Sequence, residues 1–381
     1  MRRWLAVAVA VLLVAGLSSA AAVGGRQAAA DAPALRPGRA RANRAPIDPT
    51  PGAAVAAAAP VPATVAPPPP PRATGPVSLA GCPPPPAPPS RPSGPPWHPA
   101  VMVPETALAV PPPISPPSVD VRPLLGKGMW LWKYDATENG DADAIVTKAV
   151  AAGLHQLWVR VGDSKDGFYA AKTLDELVPR AHRRGLAVVG WGFPYLYDPV
   201  ADAGWTQQVL GWRGREGQEL DGFSPDLETA SEGVAVTERR IQLYLALVRR
   251  QAGSLPVVAT VFRPTDPLWA SFPYRAIVPY VDAFAPMVYW GCVEPGSAAS
   301  QALARLSALR PVLLIGQAYN MAEEGGRRVN PSGDETWRFL DVARSSGAVG
   351  ASFWDWQEIN QEQWSAMAEF VWPVPRTRRM H

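Results

Sequence analysis

From Gly128 to Phe370 the chain alternates between short runs in which nearly every residue is apolar and longer stretches with helical spacing. The apolar runs fall at 129–132, 156–161, 187–191, 222–228, 257–261, 283–289, 312–318 and 348–354. The intervening stretches predict helices over 143–152, 174–184, 201–211, 237–251, 267–272, 298–309, 335–345 and 361–370. Runs that are apolar on both faces suit parallel strands covered by helices. Eight strand–helix units in about 245 residues predict an α/β architecture, a (β/α)8 TIM barrel. A doubly wound open sheet would want a glycine-rich phosphate turn after its first strand, and Trp130-Leu131-Trp132-Lys133 is not one.

Composition divides the chain. Thirty of its 45 prolines precede residue 124. Met1-Arg2-Arg3, an apolar run to Leu17 and the small residues 18–22 read as a secretory signal peptide over 1–22. The run is short for a membrane helix, and an uncleaved 4–23 would act as an anchor. Residues 23–122, with proline runs at 67–71 and 83–86, predict a disordered, extended spacer. The barrel then occupies 123–372, with a short tail at 373–381. The net charge of +3 is the sum of a basic front (+6 over 1–122) and a mildly acidic remainder (−3). A nucleic-acid binder would concentrate its bases on the folded part, so no nucleic-acid partner is expected. The expected location is outside the cytoplasm, secreted or associated with the cell envelope through the spacer, as a monomer.

In a (β/α)8 barrel the chemistry lies at the C-terminal ends of the strands. Here those ends carry Trp132, Arg160, Trp191, Asp226, Glu228, Arg263, Tyr289, Trp290, Gln317, Tyr319 and Trp354. Aromatic faces stack on the C–H faces of sugars, and acids and amides bind hydroxyls, so the rim suits a carbohydrate. Asp226 and Glu228 are two apart on one strand, which puts both on one face with Cα atoms about 6.6 Å apart. Their carboxyls can then approach within the range glycoside chemistry uses. Like charges so close raise one pKa and keep a proton available at neutral pH. The alternative is a buried ion pair to Arg160 or Arg263. Arg263 has two roles open to it, holding Asp226 or binding an acidic sugar substituent.

Asp221-Gly222-Phe223-x-x-Asp226-x-Glu228 resembles the D-G-x-D-x-D-x-E strand of glycoside hydrolase family 18, the chitinase-like barrels. Met287-Val288-Tyr289 resembles that family's M-x-Y, and Trp354 sits where its eighth-strand tryptophan floors the sugar site. The closing Trp354-Asp355-Trp356-Gln357 is also similar to family 25, the lysozyme-like barrels. The resemblance implies Glu228 as general acid, Asp226 as the group that orients or stabilises the attacking atom, and Tyr289 as a hydrogen-bond donor to it. Two positions depart from the pattern: Ser224 replaces the middle aspartate, and Trp290 replaces the aspartate after M-x-Y. Asp226 acting directly as nucleophile, or a site that binds without cleaving, therefore stays open.

His155 and His182 fall at the barrel end away from the chemistry, and no H-E-x-x-H is present, so no catalytic metal and no cofactor are expected. The absence of a G-x-S-x-G elbow argues against a serine esterase. Cys82 and Cys292 are the only cysteines, and in an oxidising exterior they would pair, tying the spacer to the pocket mouth. The expected function is cleavage of O-glycosidic bonds in an envelope polysaccharide by carboxylate acid/base chemistry. Its alternative is a non-catalytic carbohydrate-binding barrel.

Overall fold

A computed structural model describes residues 72, 75–82, 99, 101–114, 119–324 and 326–373. The residues expected to form a signal peptide, most of the proline-rich stretch and nearly all of the expected C-terminal tail lie outside the described residues. Eight parallel strands form the centre: β1 (Gly126–Leu131), β2 (Gln156–Asp163), β3 (Ala187–Phe193), β4 (Gly222–Pro225), β5 (Val258–Phe262), β6 (Ala283–Val288), β7 (Leu313–Gln317) and β8 (Gly350–Trp354). They are hydrogen-bonded in the order β4-β3-β2-β1-β8-β7-β6-β5. The two ends meet through the parallel bridges Phe223↔Val257 and Asp226↔Thr260, which close the (β/α)8 barrel. A two-residue antiparallel arm, Gly167–Phe168, extends β2 at the mouth.

The helices are α1 (Ala142–Ala151), α2 (Ala171–Arg183), α3 (Pro199–Leu210), α4 (Glu238–Ala252), α5 (Asp266–Ser271), α6 (Tyr274–Ile277), α7 (Pro295–Leu306), α8 (Gly333–Ser345) and α9 (Gln361–Glu369). The single helix expected near 267–272 is two short ones, because Pro273 interrupts the backbone ladder. The expected fourth strand, 222–228, is regular only to Pro225, which has no N–H to donate. Beyond it, Asp226 N still donates to Gly192 O (2.9 Å) and Leu227 N to Thr260 O (3.0 Å).

Period-two alternation sends one set of strand side chains to the helix layer and the other into the barrel. On β1, Met129 and Leu131 join the helix-facing core while Trp130 turns inward. The interior is filled by aromatics: Trp130 stacks on Trp158 at 4.8 Å, and Trp191 lies 5.5 Å from Trp130. Each of the first two indoles has a polar partner, Trp130 Nε1 donating to Ser352 Oγ (2.9 Å) and Trp158 Nε1 to Gln156 Oε1 (2.8 Å). Gly128 makes room, since a Cβ there would meet Trp158 Nε1 at 3.0 Å. The barrel floor is therefore solid.

Within the spacer expected over 23–122, two stretches of described residues lie against the barrel. Arg72 bridges Asp334 (2.6 Å) and Glu369 (3.0 Å), and Arg328 N donates to Gly81 O (3.1 Å). Cys82 is disulfide-bonded to Cys292, with Cα atoms 5.7 Å apart. Residues 101–114 run along the β3–α3 loop and α4. Val103 N donates to Tyr197 O (3.0 Å), and Thr237 Oγ1 donates to Glu105 Oε1 (2.7 Å). Leu108 is buried as the apolar anchor of this stretch. These contacts supply the apolar burial and ion pairs that composition alone did not reveal.

Candidate active site

The C-terminal end of β4 carries the acids. Phe223 faces the helix layer, and Ser224 faces inward, its Oγ donating to Val258 O (2.6 Å) and lying 2.8 Å from Thr260 Oγ1. Alternation then turns Asp226 and Glu228 to the same inner side. Asp226 is buried and its Oδ1 has no hydrogen-bond partner. Burial pushes its pKa up to about 7, against the pull of Arg160 and with the help of Glu232. Burial also lifts Glu228 well above the ordinary carboxylate range, with the charges of Asp226 and Glu232 adding to it. Among the described residues neither acid forms an ion pair. The buried-ion-pair alternative for this pair is not what the chain builds.

Tyr289 follows β6 and is half-buried. Burial raises its pKa well above 10, and the neighbouring Tyr319, Asp226, Glu228 and Asp355 act in the same direction. The phenol is thus held protonated, as a donor, among three carboxyl groups. Tyr319 packs edge-on against it with ring centres 5.5 Å apart.

Trp354, half-buried at the end of β8, lies over the interior aromatics, 5.8 Å from Trp130 and 5.3 Å from Trp191. Trp132 flanks it at 6.4 Å and carries Lys133 Nζ 4.1 Å above its ring. Trp132 and Trp354 therefore form the partly exposed aromatic floor. Trp191 is buried beneath them, supporting the floor instead of lining it. Arg160 stacks on Trp191 at 5.4 Å, and its Nη2 pairs with Asp163 Oδ2 at 2.9 Å. Arg263, just past β5, is half-buried, and burial lowers its pKa.

Three further residues expected to bind substrate are buried. Trp290 is buried in the helix layer, where its Nε1 donates to Glu335 Oε2 (3.0 Å) and its ring packs on Phe339 (5.2 Å). Its neighbour Tyr289 takes the inward direction, and alternation sends Trp290 the other way. Gln317 is fully buried with both ends of its amide engaged: Oε1 accepts from Gly291 N and Nε2 donates to Tyr319 O, each at 2.8 Å. It fastens the loop after β6 to the end of β7. Tyr319 is likewise buried, backing Tyr289.

The sequence reading missed Asp355 and Glu232 as members of the acid cluster. Asp355 is buried after β8 with Oδ1 accepting from Glu358 N (3.1 Å), and Glu232 closes a short turn after β4. Asp355 stands within the Trp354-Asp355-Trp356-Gln357 motif, so a signal was there, whereas nothing in the spacing marks Glu232. At the opposite end, His182 Nε2 meets Asp221 Oδ2 at 2.7 Å. His155 Nδ1 accepts from Lys127 N (3.2 Å), and burial and the Lys127 charge push its pKa down to about 4. Among the described residues no cluster of His, Cys, Asp and Glu has a metal-holding arrangement.

No model of a known protein family matches the sequence. No curated protein matches it either. Solved structures with a similar backbone include a chitinase from Chromobacterium violaceum, at 11% identity and TM-score 0.47, covering 64% of this chain and 98% of that one. The C-terminal domain of a putative chitinase from Desulfitobacterium hafniense is 12% identical with TM-score 0.49, over 64% and 99% of the two chains. The spore cortex-lytic enzyme SleL of Bacillus cereus is 12% identical with TM-score 0.46, over 66% and 75%.

Proposed function

We propose that this chain is an exported glycoside hydrolase that cleaves O-glycosidic bonds of a cell-envelope polysaccharide. The observation that carries the reading is the pair Asp226 and Glu228: one buried and one half-buried carboxyl at the C-terminal end of a barrel strand, with no ion pair among the described residues, beside a protonated tyrosine. Withdrawing two acids from water, one of them fully, without a counter-ion is costly, and a fold keeps such a pair where chemistry uses it. Glu228, holding its proton at neutral pH, donates it to the departing glycosidic oxygen. Asp226, in its ionised form, stabilises positive charge developing at the anomeric carbon. Tyr289 donates its O–H to the group that attacks that carbon. Trp132 and Trp354 offer ring faces for the sugar.

The test is the oxidised full chain with a panel of cell-wall and N-acetylhexosamine polysaccharides, reading new reducing ends. Glu228→Gln should lower turnover by about 10³-fold or more, since the loss of a general acid removes 10²–10⁴ in rate. It should leave glycan binding in place. Binding without release by the unsubstituted chain would transfer the function to a carbohydrate-binding barrel. Undiminished release by Glu228→Gln would remove Glu228 from its role.

A further inference from the structure

The two arginines of the rim differ in one respect. Arg160 has a partner in Asp163. Arg263 has none: among the described residues it makes no ion pair, and its Nη1 is shut off from water without a hydrogen-bond partner. The nearest acid along the chain, Asp266, is taken by Arg305, which also donates to Pro264 O. The positive charge that pulls on Asp226 belongs to Arg160. Holding the acid pair is therefore not what Arg263 does.

A guanidinium nitrogen withdrawn from water without an acceptor is costly, and buried polar groups in folded proteins nearly always have a partner. The place of Arg263 says where that partner comes from. Thr260 bridges to Asp226 across the β4–β5 seam. Arg263 stands three residues further on, roughly 10 Å along the strand direction toward the mouth. It stands just past the C-terminal end of β5, the strand beside the one that leads to Glu228.

We infer that Arg263 forms a subsite for an acidic group carried by the glycan. The inference rests on the glycan-cleaving reading of the acid pair and adds a substrate class to it. The shared chemistry is a carboxylate, whose two coplanar oxygens match the planar fork of a guanidinium. A uronic acid ring or a lactyl ether on an amino sugar supplies it equally well.

The experiment uses the oxidised full chain carrying Glu228→Gln, so that substrate is bound and not consumed. The ligands are polygalacturonate and peptidoglycan glycan strands, each native and with its carboxylates amidated. The native form of one of the two should bind at least about tenfold more tightly than its amide, the worth of one charge-assisted pair. That polymer identifies which source of carboxylate the site takes. Adding Arg263→Gln should bring the ratio to about one, and Arg263→Lys should keep part of it, with melting temperatures checking that each variant is folded. A ratio near one in the parent, a ratio that Arg263→Gln leaves unchanged, or binding to none of the polymers would overturn the subsite. If the preference is present and depends on Arg263 while the unsubstituted chain releases no reducing ends, the hydrolase reading fails and the subsite stands.

Discussion

Asp226 carries a consequence for stability that is separate from catalysis. Its pKa is raised from 3.8 to about 7 by burial, so between those values the folded chain holds a proton that the unfolded chain releases. Stability from this group is therefore complete below pH 4 and falls as pH rises toward 7. Asp226→Asn removes the titration. The variant should match the parent near pH 4 and exceed it at pH 8 by about 2 kcal/mol, a cautious fraction of the full shift. Urea unfolding midpoints at the two pH values measure this, and identical differences at both would remove the buried-acid assignment. The single-residue lesson of the sequence lies close by. Tyr289 and Trp290 are neighbours in the chain, and both are aromatic ends to the same apolar run. Only one reaches the acids, because adjacent strand residues face opposite ways and Glu335, 45 positions away, receives the other's N–H.

At the scale of elements, α3 packs its Trp205 ring directly on glycines of the sheet. A Cβ on Gly162 would sit 3.1 Å from the Trp205 ring, and one on Gly192 would be driven into that ring. Gly192→Ala should therefore cost about 2–3 kcal/mol by overpacking. Gly204→Ala, on the same helix with open space around it, should stabilise by about 0.5–1 kcal/mol. Thermal unfolding of the two variants measures both, and a neutral Gly192→Ala would mean that α3 can shift outward freely. The order of elements was legible in the sequence since each apolar run is a local pattern with a period set by backbone geometry. The early end of β4 was legible too, in Pro225, but reads as such only once the ladder it interrupts is known.

At the scale of the whole molecule, the Cys82–Cys292 disulfide closes a loop of 210 residues and joins the proline-rich stretch to the loop after Tyr289. Replacing both cysteines by alanine should lower stability by about 2–4 kcal/mol, the usual range for a native bridge. A thiol reductant should do the same to the parent and nothing to the variant. Equal melting curves for oxidised parent and variant would mean that the other contacts of residues 72–82 suffice. By itself the sequence determined the barrel and the placing of two acids at the C-terminal end of β4. These rest on short-range periods, on the rule that parallel strands need covering helices, and on two residues spaced by one strand repeat. Only the tertiary structure decided which polar groups were already engaged. Gln317 bonds Gly291 and Tyr319, and Arg160 pairs with Asp163, while Arg263 forms no ion pair among the described residues and its Nη1 has no acceptor. Such pairings join residues that chain distance does not relate, so they arise only when the strands close into a ring and each side chain meets the neighbours that closure brings.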